Sequence, residues 1–169
     1  GRGSLALGEP ETIELEGPVT ALIAGEVNRR DGIPDLVVSI HTDRGAELLV
    51  FQSPMGVLHR PPLRYDLPGV VTSLVLDRLD RDSYFDIAAA AGDRLVWIAG
   101  IGDAGAHSDG TTPESRLKNY PLPFPVEAVT TGYFFGKKQN DLILLSPDDR
   151  LFSFKIRDSG EGFPCLLYT

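Results

Sequence analysis

Residues 77–86 read "DRLDRDSYFD" and set Asp77, Asp80, Asp82 and Asp86 within one short stretch, with Arg78 and Arg81 among them. Carboxylates this dense suit a hard cation such as calcium, which takes about six to eight oxygens, several of them anionic. The stretch continues as "IAAAAGDRLVWIAG". Alanine has the highest helix propensity, so an amphipathic helix competes with a calcium loop and with a plain loop between two strands. Only the calcium loop would put chemistry here.

Other residue types that could do chemistry are scattered. His41, His59 and His107 lie far apart and show no metal-ligand spacing. The "HTD" at 41–43 reads as a turn with a solvated histidine. No serine stands in a Gly-x-Ser-x-Gly setting, so a nucleophile elbow is not indicated. The tract "GIGDAGAHSDGTTPES" at 100–115 is glycine-rich but lacks the lysine of a phosphate loop and opens no helix. It reads as a long insertion between strands. Cys165, the single cysteine, excludes an internal disulfide and a cysteine-based zinc site. Its apolar neighbours favour a packed thiol. A glycosidase would need two carboxylates roughly 5–10 Å apart, and sequence spacing places no such pair. The sequence assigns no catalytic, cofactor-binding or metal-ligating residue, with calcium the one alternative left open.

Composition limits the scaffold that could hold these residues. The 169 residues carry a net charge of -8, against the basic face that nucleic-acid binding needs. Twelve arginines against four lysines reflect genome composition rather than chemistry. The apolar runs fall short of the ~20 residues of a membrane-spanning helix. "GRGS" at 1–4 reads as an expression scar or trimmed start, and residues 1–10 as a tail. The 18 glycines and 13 prolines are spread along the chain, which favours short strands and turns.

Internal repeats decide between the competing readings. "IELEGPVTALIAGEVNRRDGIPDLVVSI" from Ile13, "YDLPGVVTSLVLDRLDRDSYFDIAAAAG" from Tyr65 and "YPLPFPVEAVTTGYFFGKKQNDLILLSP" from Tyr120 lie over one another. Val19, Val71 and Val126 align, as do Asp35, Asp86 and Asp141. After each aspartate come "LVVSI", "IAAAA" and "LILLS". Two of these runs are rich in Val, Ile and Leu and of strand length. The repeat thus predicts a strand over 86–91 against alanine's own preference. It predicts strands near 19–25, 35–40, 47–52 and 63–67, then 71–77, 86–91, 94–99 and 117–122, then 126–134, 141–146, 150–156 and 163–168. The expected fold class is all-β: a partial β-propeller of three four-stranded antiparallel blades at about 19–67, 71–122 and 126–169. The stretch 11–16 aligns with fourth strands and is assigned to an adjacent blade.

"AGEVNRRDGIPDLVV", "LDRLDRDSYFDIAA" and "TGYFFGKKQNDLILL" resemble the FG-GAP/VCBS repeats of integrin-like β-propellers over about residues 11–169. The Asp-Leu/Ile that closes each loop is clean three times, and the loop before it is eroded. In that family the loop often holds calcium at its first, third, fifth and ninth positions. The corresponding residues are Arg78, Asp80, Asp82 and Asp86 in the second repeat, and Tyr133, Phe135, Lys137 and Asp141 in the third. In the first, Glu26, Asn28 and Arg30 lead to Asp35 with one residue inserted, and Asp31-Gly32 could slide into the fifth place. Each loop lacks a ligand position, so no tightly bound calcium is expected. Arg78 and Lys137 could instead supply the positive charge covalently. The plain alternative has Asp35, Asp86 and Asp141 accepting backbone N–H bonds and fixing their turns.

The resemblance implies a non-catalytic binding or scaffold module for protein or carbohydrate, adhesion-like, in an extracellular, periplasmic or cell-surface setting. The alternative is a propeller module of a polysaccharide-active lyase or hydrolase. Three blades are fewer than the about four to eight of a closed ring. Further blades, or a second copy giving a six-bladed ring, are expected to complete it.

Overall fold

A computed structural model describes residues 11–27, 32–52, 60–80, 82, 84–100, 116–135, 140–156 and 162–168. Among the described residues, twelve strands form three four-stranded antiparallel sheets, the blades of a partial propeller. Blade 1 contains β1 (Val19–Gly25), β2 (Asp35–Thr42), β3 (Gly45–Phe51) and β4 (Leu63–Leu67). Blade 2 contains β5 (Val71–Asp77), β6 (Asp86–Ala91), β7 (Arg94–Ile98) and β8 (Leu117–Pro121). Blade 3 contains β9 (Ala128–Gly132), β10 (Asp141–Leu145), β11 (Leu151–Ile156) and β12 (Gly162–Tyr168). Within each sheet the strands lie in chain order. The first strands β1, β5 and β9 are neighbours, so the blades meet along their inner edges.

The repeat is visible in the ladders. Leu48 pairs with Tyr65, Leu95 with Tyr120 and Leu151 with Tyr168. A register irregularity falls between Val19 and Ala21 in β1 and again between Val71 and Ser73 in β5. The alignment predicted from sequence thus holds at the level of individual residue pairs.

The four alanines of β6 show why helix propensity loses. Ala88 and Ala90 face a core shared with Val129, Leu142, Leu144 and Phe154 of blade 3. Ala89 and Ala91 face a core shared with Val37, Leu48 and Val50 of blade 1. Alternate side chains of one strand therefore serve two interfaces, as the two-residue period of a strand requires. All four are 2 % exposed or less. Their small size lets blades close on both sides, and burial outweighs a propensity worth a few tenths of a kcal/mol per residue.

Aromatic contacts fix blade 3 on blade 2. Tyr120 and Phe154 meet edge-to-face with centroids 5.3 Å apart. Phe124, in the connection between blades, stacks on Phe152 at 4.0 Å. A side chain at Gly162 would collide with both Phe154 and Tyr120, so β12 needs glycine there to approach. Polar links cross the same boundary: the Thr72 hydroxyl donates to the Val126 carbonyl at 2.9 Å, and Val129 N–H donates to Ser73 Oγ at 3.2 Å.

Most strand bounds shift by a residue or two from the sequence reading, and the shifts at β9 and β2 bear on named residues. β9 begins at Ala128, not Val126, because Val126 N–H is engaged by the Gly92 carbonyl and Glu127 N–H by that of Leu145. β2 runs on through Thr42, so His41 is an exposed strand residue opposite Ala46 rather than part of the turn. Residues 11–16 join none of the three sheets. Ile13 and Leu15 instead pack on the face of blade 1 that points away from blade 2, against Val38, Ile40, Leu49 and Phe51.

Candidate functional site

The three aspartates singled out by the repeat occupy one structural position. Each opens the second strand of its blade and stands opposite the last residue of the first: Asp35 with Gly25, Asp86 with Asp77, Asp141 with Gly132. Each carboxylate turns back into the preceding loop. Asp35 Oδ2 accepts Val27 N–H at 2.8 Å, Asp86 Oδ2 accepts Leu79 N–H at 2.9 Å, and Asp141 Oδ2 accepts Phe135 N–H at 3.1 Å. A short side chain with two acceptor oxygens suits this role, because it can bind loop amides that no strand partner reaches.

Asp86 is the most developed of the three. It is fully buried. Oδ2 also accepts Asp80 N–H at 3.2 Å, and Oδ1 accepts Gly100 N–H at 2.9 Å. The loop thereby closes on the far end of β7. Asp80 Oδ1 accepts Asp82 N–H at 2.9 Å, and Asp82 Oδ1 accepts Tyr84 N–H at 2.8 Å. The carboxylates follow one another as a chain of turn acceptors. Burial pushes the Asp86 carboxyl up to about 6. The Gly100 and Leu79 amides oppose that rise, and the charges of Asp80 and Asp82 add to it. Burial, with Asp80 nearby, also raises the Asp82 carboxyl.

The idea of a covalent cation does not hold at Arg78. Its guanidinium lies over the Phe85 ring, 5.9 Å from the centroid, and the Asp86 carboxylate is met by backbone amides. Lys137, Asn28, Arg30 and Asp31 lie outside the described residues, as do His59, His107 and the tract 101–115. Glu26 Oε1 accepts Gly32 N–H at 3.1 Å. Among the described residues, no three His, Cys, Asp or Glu side chains gather in a way that could hold a metal ion. Cys165 sits half-buried on β12 opposite Ser153. No helix among the described residues is long and apolar enough to cross a membrane.

Sequence reasoning missed three features of this end of the molecule. Gly100 is the third donor to Asp86 and reaches it from beyond β7. Asn140 Nδ2 donates to Asp77 Oδ1 at 2.6 Å and joins the loop end of blade 3 to that of blade 2. Tyr133, Phe134 and Phe135 project from the loop after β9, at 62 %, 51 % and 42 % exposure, with Tyr84 and Ile33 exposed on the matching loops of blades 2 and 1. The run "GYFFG" carried that signal: three aromatics in a turn have no core to enter. No protein-family model and no curated protein matches the chain.

Proposed function

We propose that the chain is a non-catalytic β-propeller module of the FG-GAP/VCBS kind that binds protein or carbohydrate through the loops joining first and second strands. The observation that carries this reading is the set of exposed aromatics on those loops, Tyr84, Tyr133, Phe134 and Phe135, held over aspartate-fixed turns. Aromatic faces offer large contact area at little entropic cost and stack on sugars or on apolar and cationic side chains. Loops on a rigid scaffold are where such recognition concentrates. The carboxylates that fix these loops, Asp82, Asp86 and Asp141, accept backbone N–H groups, which supports a structural rather than acid–base role for them. By the same resemblance, the setting is extracellular, periplasmic or cell-surface.

A glycan array and a protein-binding screen, read beside a turnover assay on the same sugars, test the reading. Binding without turnover, lost in Tyr133→Ala with Phe134→Ala, supports it. Turnover, or binding that ignores both substitutions, overturns it.

A further inference from the structure

The outer face of blade 1 has the pattern of a face that is buried elsewhere in the same molecule. In blade 2, Leu74 stands opposite Ala89, and Ala89 opposite Val96, on the face turned to blade 1. In blade 1, Leu22 stands opposite Val38, and Val38 opposite Leu49, on the face turned away from blade 2. Repeat-equivalent positions thus form an interface in one blade and an outer surface in the other. Leu22 is 62 % exposed and Val19, the counterpart of buried Val71, 51 %. Leaving such residues in water is unfavourable in a repeat protein, whose units are stabilised by their neighbours.

Residues 11–16 already occupy part of the missing neighbour's ground. Tyr65 and Leu67 enter the core between blades 1 and 2, and Tyr120 and Leu122 that between blades 2 and 3. Ile13 and Leu15, aligned with them in the repeat, pack on the outer face of blade 1. Burial alternates along the stretch as in a strand: Ile13 and Leu15 are half-buried, Thr12, Glu14 and Glu16 exposed. The residues before β1 and β9 are each tied to the second strand of their own blade, by bonds of opposite sense: the Pro18 carbonyl accepts His41 N–H at 3.1 Å, and Glu127 N–H donates to the Leu145 carbonyl at 2.9 Å. Glu16 pins the stretch through Arg64 at 2.7 Å and Arg44 at 2.9 Å.

We propose that residues 11–16 are the outermost strand of a fourth blade, and that the outer face of blade 1 takes three antiparallel strands of the same repeat that precede this stretch in the polypeptide. The continuity of fourth strand into first strand at β4–β5 and β8–β9 carries the choice of occupant. A second copy fits less well. Its blade 3 already has a fourth strand, β12, which would compete with residues 11–16 for the same surface. This inference deepens the scaffold reading above and rests on its assignment of the chain to a β-propeller module.

The test duplicates residues 19–62 directly ahead of residue 11 of the full chain, so that 11–16 follows the copy as β4 follows β3. A second graft uses residues 71–117. Hydrogen exchange is followed at the amides of 12–16 in each graft and in the 169-residue chain. At least tenfold slower exchange in either graft is expected, and Leu22→Glu should abolish the slowing while leaving the melting of the ungrafted chain unchanged. Exchange unaltered in both grafts, or a discrete dimer of the ungrafted chain by light scattering, overturns the proposal. Binding arrays on the ungrafted chain report on the functional reading separately: slowed exchange with no ligand found would refute that reading alone.

Discussion

The carboxylate of Asp86 accepts the N–H of Gly100 at 2.9 Å, fourteen residues along the chain, while its other oxygen holds the amides of Leu79 and Asp80. One buried side chain thus joins the loop before β6 to the end of β7. Asp86→Ala would remove the acceptor of two buried amides, those of Leu79 and Gly100, and of the partly buried Asp80 amide. Each buried group so deprived costs about 1–3 kcal/mol, so a loss of at least about 2 kcal/mol is expected. Urea unfolding measures it. A loss under about 1 kcal/mol would mean that the amides find other partners.

Acidity at the same residue gives a signed prediction. The folded chain holds the Asp86 proton more tightly than an unfolded one, since its pKa rises from 3.8 to about 6. Asp86 therefore contributes stability that is full below about pH 4 and is lost as pH rises through about 6, by up to about 3 kcal/mol. The stability of the parent minus that of Asp86→Asn should fall with pH over this window and level off above it. A difference that grows with pH would show that the amide donors outweigh burial.

Calcium should leave the melting temperature where EDTA leaves it. Asp80 and Asp82 direct oxygens at the amides of Asp82 and Tyr84, and a cation would have to displace those bonds. A ligand at 100 times its dissociation constant adds about 2.7 kcal/mol, a rise a melting curve resolves easily. Such a rise would overturn the prediction.

Enlarging β6 should be costly in proportion to how tightly it is enclosed. Ala89→Leu adds bulk between blades 1 and 2 where the residue has no exposed surface. Overpacking of this kind costs about 1–3 kcal/mol. Denaturant unfolding reads the loss, and an unchanged midpoint would show a cavity beside the strand.

Releasing residues 11–16 should be visible to proteases before it is visible in stability. Glu16→Ala removes partners of Arg64 and Arg44 at an exposed site, where ion pairs contribute little. Cleavage within 11–18 is expected to speed up with melting nearly unchanged. Equal cleavage rates would mean that Ile13 and Leu15 hold the stretch unaided.

The strands were legible because this fold writes its period twice, once as alternation within each strand and once as recurrence between blades. That is how Asp86–Ala91 could be read as β6 against four alanines. The aspartate hubs were legible for the same reason, since Asp35, Asp86 and Asp141 recur in register. What each hub binds was not. Gly100 and Asn140 reach the loops from distant parts of the chain, and their partners depend on how strands end rather than on spacing. Arg78 misled because a charge beside carboxylates suggests an ion pair, while the fold offers it the Phe85 ring.

The matched ladders Leu48–Tyr65, Leu95–Tyr120 and Leu151–Tyr168 bear on how such a chain can change length over generations. Because each blade offers its successor equivalent positions, gain or loss of one whole repeat by unequal recombination creates no new type of junction. Gain or loss of a single residue inside β6 would exchange the sides of Ala88 and Ala89 and ruin both neighbouring contacts at once. The lineage is therefore free to vary in steps of a blade and held rigid at the scale of a residue, with the loops before each aspartate, six to eight residues from acceptor to donor, as the places where small indels are tolerated.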